Sequence, residues 1–156
     1  MDRRAGDDAP TGSRAGRQMK SIIAILSALL LTVSTRAEPV SWEPNYDHAL
    51  EKAKKDKKLV MVDLYTDWCG WCKKLDRDVY ANAQVEEKLS KDFVSVKLNP
   101  EKSAGNAQLA RQFGTRGYPH IVFTDADGKK VAEIRGYVVA DAFLKQLEQL
   151  TAKPAK

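Results

Sequence analysis

The run Leu59-Val60-Met61-Val62-Asp63-Leu64-Tyr65 leads through Thr66-Asp67 into Trp68-Cys69-Gly70-Trp71-Cys72-Lys73. No other feature limits the possible folds of this chain so strongly. The first half is a compact apolar run, fit for a buried central strand. The second half sets two cysteines, with two residues between them, where a helix should open. The chain has 2 cysteines in all. A secreted disulfide scaffold would carry more of them, scattered along the sequence. A bridge between these two closes so small a loop that chain entropy gains little. Chemistry explains the pair better than stability does.

That placement gives the cysteines distinct tasks. At a helix N-terminus, unpaired N–H groups and the helix dipole favour a thiolate, so Cys69 is the expected nucleophile. One helical turn brings the Cys72 sulfur close enough to attack a mixed disulfide formed at Cys69 and release the product. Gly70 leaves the Cys69 sulfur open to a large partner. The competing use is metal binding, but two thiolates are half of a closed zinc site. The chain offers only His48 and His120 besides, and Met61, the thioether a copper site would want, lies inside the apolar strand. No metal and no small-molecule cofactor is implied.

Upstream, Ile22 to Val33 is apolar, follows Lys20, and is succeeded by Ser34-Thr35-Arg36-Ala37. A basic start, an apolar middle and a small-residue end make a secretory signal peptide over 19–37, with Ala37 as the natural cleavage point. The apolar run is short for a membrane span; left uncut, it would act as an anchor. Residues 1–18 are polar and lack periodicity, and read as a disordered extension or a misassigned start ahead of Met19. A single domain is expected over 38–151, with a flexible tail at 152–156.

Within that domain the pattern alternates. A helix is predicted from Pro44 to Lys57, a strand at Leu59–Tyr65, a helix from Gly70 to Tyr80 and another from Asn82 to Lys91. A strand at Phe93–Leu98 follows, then a helix from Ala104 to Phe113 ended by Gly114. The strands His120–Thr124 and Lys130–Arg135 flank an Asp125–Gly128 turn, and a helix runs from Ala140 to Leu150 with Phe143, Leu144, Leu147 and Leu150 facing inward. This order gives an α/β fold, a central mixed β-sheet with helices on both faces.

Charge adds an exclusion. Of the formal net charge of +5, more than half falls on residues 1–37, where Arg3, Arg4, Arg14, Arg17, Lys20 and Arg36 face only Asp2, Asp7 and Asp8. The domain itself is nearly balanced, and its basic pairs, such as Lys54-Lys55 and Lys73-Lys74, are interleaved with acids as on a solvated face. Nothing in that balance points to nucleic acid.

The stretch Leu59 to Lys73 resembles the thioredoxin superfamily. Val94 to Asn99, Phe113 to Pro119, Asp127-Gly128-Lys129 and Gly136 agree in order. The likeness covers about residues 42–150 and is closest to periplasmic thioredoxin-like domains, among them the C-terminal domain of transmembrane thiol–disulfide interchange proteins. It implies a thioredoxin fold and several roles. Asp63 stands where the family keeps a buried acid beneath the cysteines. Burial should raise its pKa, so that it can take the proton of Cys72. Lys97 matches the lysine near that acid. Pro119 matches the family's cis-proline, and the backbone of Tyr118 before it would pair with a substrate chain in strand fashion. Trp68, Trp71, Tyr118 and Tyr137 would form an aromatic rim suited to extended polypeptide.

The departures are specific. The dipeptide between the cysteines is Gly70-Trp71, neither the Gly-Pro of thioredoxin nor the Gly-His of disulfide isomerases, which leaves the reduction potential open. Arg77 replaces a proline, so the active-site helix should be straighter or end earlier. Tyr118 is bulky for its place, and His120, directly after Pro119, reads as a mainly structural strand residue. The expected protein is an exported, periplasmic or secreted, monomeric protein-disulfide reductase. Its substrates would be protein disulfides, and a membrane partner would return electrons to it. The alternatives are an oxidase or isomerase running the other way, and a metal-binding or redox-sensing module without turnover.

Overall fold

The computed structural model describes residues 39–152. The extension, the signal peptide and the last four residues of the tail expected from sequence lie outside that range. The chain enters through a two-residue strand β1 (Trp42–Glu43) and helix α1 (Tyr46–Asp56), then β2 (Leu59–Leu64) and α2 (Gly70–Leu75). A π-helical turn (Asp76–Tyr80) links α2 to α3 (Ala83–Asp92). Next come β3 (Phe93–Leu98), α4 (Ala104–Gln112), β4 (His120–Thr124), β5 (Lys130–Arg135) and α5 (Ala140–Ala152).

The five strands form one mixed sheet in the order β1-β3-β2-β4-β5. β1 and β2 flank β3 in parallel, β4 runs antiparallel to β2, and β5 antiparallel to β4. Side-chain alternation splits the core into two layers. Val60, Val62 and Leu64 of β2, with Val94, Val96 and Leu98 of β3, face Ala49 and Ala53 of α1 and Ala110 of α4. Met61, Phe93, Ile121 and Phe123 face the other way, onto Leu75, Val79, Leu89, Phe143 and Leu147. Asp63 shares the face of Met61, beneath α2 and the π turn.

Local signals explain the boundaries. Asn45, Asn82 and Ser103 cap α1, α3 and α4 through side-chain oxygens that accept backbone N–H bonds. α1 thus begins after Asn45 rather than at Pro44, and Lys57 closes it in a left-handed conformation (φ 55°). Gly114, with φ 71°, turns the chain out of α4. Two features differ from the sequence reading. The two residues of β1 were too few to give a strand period. The helix expected over Gly70–Tyr80 is α-helical only to Leu75, then widens. Arg77 retains an N–H that proline would lack, so the helix continues as a π turn, and the wide turn seats the consecutive residues Val79 and Tyr80 both inside the core.

Candidate active site

β2 ends where β4 begins, since the strands are antiparallel and Leu64 pairs with His120. The loop carrying the cysteines after β2 and the loop before β4 therefore meet there. Cys69 is the N-cap of α2, in an extended conformation, and its sulfur accepts the backbone N–H of Cys72 at 3.1 Å. The two sulfurs are joined in a disulfide, S–S 2.13 Å with Cα atoms 5.3 Å apart. Both residues are buried, at 4% and 2% exposure.

A wide aromatic margin surrounds them. Trp68 is 68% exposed and Trp71 59%, the largest exposed apolar side chains among the described residues. Each leans on a tyrosine: Trp68 meets Tyr118 edge-on at 6.1 Å, and Trp71 meets Tyr137 at 5.5 Å. The Trp68 indole N–H donates to Glu101 at 3.0 Å. A side chain at Gly70 would meet nothing within 4 Å, so that flank is open. The Tyr118–Pro119 bond is cis, as the resemblance implied.

Beneath α2, the parallel register sets Asp63 beside Lys97. Asp63 is fully buried, and its oxygens have no hydrogen-bond partner; the Lys97 ammonium stands 3.4 Å away, outside hydrogen-bonding geometry. Burial pushes the Asp63 carboxyl up to about 6, with the Lys97 charge pulling the other way. Lys97 also pairs with Asp76 at the start of the π turn. Its ammonium lies 5.2 Å from the Trp42 ring, 5.0 Å from Tyr65 and 5.6 Å from Tyr80. The lysine is thus held by three rings and two carboxylates. Sequence reading found Asp63 and Lys97 but missed Asp76 and the rings, which come from separate elements.

His120 is buried and fully hydrogen-bonded, to the Thr115 hydroxyl at 2.8 Å and the Glu133 carboxylate at 3.0 Å. Burial lowers its pKa from the usual 6.5, opposed by the bond to Glu133. Among the described residues, no three His, Cys, Asp or Glu side chains gather as a metal site would require.

A five-stranded mixed sheet, a two-cysteine bridge opening a helix and a cis-proline at the same sheet edge define the thioredoxin class. A family model described as a thioredoxin-like domain matches residues 46–151, and the chain belongs to that family. Among curated relatives, the thiol:disulfide interchange protein DsbD of Actinobacillus pleuropneumoniae is 37% identical over 95 residues, covering 60% of this chain and 16% of the relative. The same protein of Yersinia enterocolitica is 34% identical over 109 residues, 69% of this chain and 18% of the relative. The chain thus spans less than a fifth of these relatives' length. Among solved structures, a Thermus thermophilus thioredoxin superposes with TM-score 0.66 at 27% identity, covering 74% of this chain and 90% of the other. The reduced C-terminal domain of Neisseria meningitidis DsbD gives TM-score 0.55 at 28% identity, covering 65% and 90%.

Proposed function

We propose that this protein is an exported thiol–disulfide oxidoreductase that reduces disulfides in other proteins. The observation that carries the reading is the Cys69–Cys72 bridge at the head of α2, with the Cys69 sulfur already accepting the Cys72 N–H. In the reduced protein the same N–H and the helix end favour a Cys69 thiolate. That thiolate attacks one sulfur of a substrate disulfide, forming a mixed disulfide and expelling the other as a thiolate. Asp63, its pKa raised to about 6, accepts the Cys72 proton, and the Cys72 sulfur attacks Cys69. The substrate leaves with both sulfurs reduced, and the protein holds the bridge. Two electrons have moved from protein to substrate.

Trp68, Trp71, Tyr118 and Pro119 form the platform for the substrate segment in this reading, with the Tyr118 backbone as its pairing edge and Gly70 as the open flank. Lys97 keeps Asp63 from rising further. An exported reductase works in an oxidising compartment, so its bridge must be re-reduced from across a membrane. The resemblance to interchange proteins supports a membrane donor.

Insulin reduction with a dithiol donor tests this. Wild type should accelerate it, Cys69→Ser should abolish the acceleration, and Cys72→Ser should accumulate a mixed disulfide visible in intact mass. Full activity in Cys69→Ser would sink the mechanism.

A further inference from the structure

The loop Gly114–Pro119 is tied down from two sides. The Thr115 N–H donates to Ala110 C=O at 2.9 Å, and Arg135 Nη1 donates to Gly114 C=O at 3.1 Å. The Gly136 N–H donates to Pro119 C=O at 2.9 Å. Under the loop, the buried His120 ring joins Thr115 at one nitrogen to Glu133 at the other. Glu133 is the shared anchor. It also accepts from Lys130 Nζ at 3.1 Å, and from Arg135 Nε at 3.1 Å and Nη2 at 3.0 Å. One carboxylate on β5 thus steadies both the imidazole and the guanidinium that hold the loop. The polarity is consistent with a neutral ring: Nε2–H donates to the carboxylate, which can only accept, and Nδ1 accepts the Thr115 hydroxyl. The groups facing His120 from β5 are Glu133, Lys130 and Arg135.

The loop ends in Tyr118, whose ring supports Trp68 and whose backbone is the edge offered to substrate in the function proposed above. We propose that Thr115, His120 and Glu133 are positioning residues for that edge, a hydrogen-bonded strut that sets the pose of Tyr118 for a polypeptide substrate. The proposal rests on the oxidoreductase reading. None of the three reaches the sulfurs through any contact described above, so their effect should fall on substrate binding rather than on the redox step.

His120→Ala empties a buried site and threatens folding, so Thr115 is the better probe. Thr115→Val keeps the shape and removes the hydroxyl; Thr115→Ser keeps the hydroxyl. In insulin reduction, Thr115→Val should raise KM about three- to tenfold, the loss of one hydrogen bond to a buried group, with kcat held within about twofold. Thr115→Ser should return KM to the wild-type value. An unchanged KM in Thr115→Val, or a raised KM in both variants alike, overturns the strut. Wild-type protein inert toward insulin overturns the oxidoreductase reading itself, and the strut with it.

Discussion

A carboxylate at position 63 penalises the folded state whenever it is charged. From about pH 4 to pH 6 the folded protein keeps a proton that the unfolded chain has released, because burial raises the Asp63 pKa from 3.8 to about 6. Stability must therefore fall as pH rises through that interval. Above it, a standing cost on the order of 3 kcal/mol remains. Asp63→Asn should recover about 1–3 kcal/mol at pH 8, since Lys97 loses a partner in exchange, and little at pH 4. Urea midpoints at the two pH values measure it, and an equal shift at both would remove Asp63 as the cause. The same variant should slow insulin reduction above pH 6, where the proton acceptor is needed. Both cysteines were legible in the sequence from their spacing at a helix start, and Asp63 through the family resemblance of the strand before them. The surroundings of Lys97 were not. Trp42, Tyr65, Asp76 and Tyr80 converge on it from a short strand, a loop and a helical turn, and only the folded chain makes them neighbours.

At the scale of elements, the π turn and α3 depend on one another. The wide turn ends at Tyr80, which packs edge-on against Phe143 of α5 and Trp42 of β1. Asn82 then starts α3 by accepting the Gln84 and Val85 N–H groups. Asn82→Ala should cost about 1 kcal/mol and Asn82→Asp almost nothing, read as shifts in the urea midpoint. Phe143→Ala removes a fully buried ring between Tyr80 and Phe123 and should cost about 3–5 kcal/mol. β2, β3 and β4 announced themselves as β-branched, apolar runs. β1 did not, because a two-residue strand has no period and is defined by its partner β3 alone. The π turn escaped notice because hydrophobic spacing over Gly70–Tyr80 fits a plain helix nearly as well.

The whole molecule raises the direction of electron flow, which the pattern of residues left open because Gly70-Trp71 matches neither familiar dipeptide. Equilibration in glutathione or thioredoxin buffers with thiol trapping should give a potential near about −270 mV for a reductase fed from a membrane. A value of about −120 to −180 mV would reassign the protein as an oxidase or isomerase. Export is tested on the same scale: amino-terminal sequencing of protein recovered from the extracytoplasmic fraction should begin at Glu38. The mixed sheet and its two-faced cover were readable in advance, because strand and helix signals alternate until the final hairpin; the strand order β1-β3-β2-β4-β5 was not. That the Pro119 loop meets the cysteines was implied by the resemblance alone; the Leu64–His120 register is what brings the two loops together.

The aromatic margin has an optical consequence. Of the three tryptophans, Trp68 and Trp71 are each bonded directly to a bridging cysteine, and both face solvent. Disulfides quench excited indoles, so emission should brighten when the bridge opens, without any label, and Trp71→Phe should dim that response. The protein carries its own indicator of how many of its molecules hold electrons at a given moment.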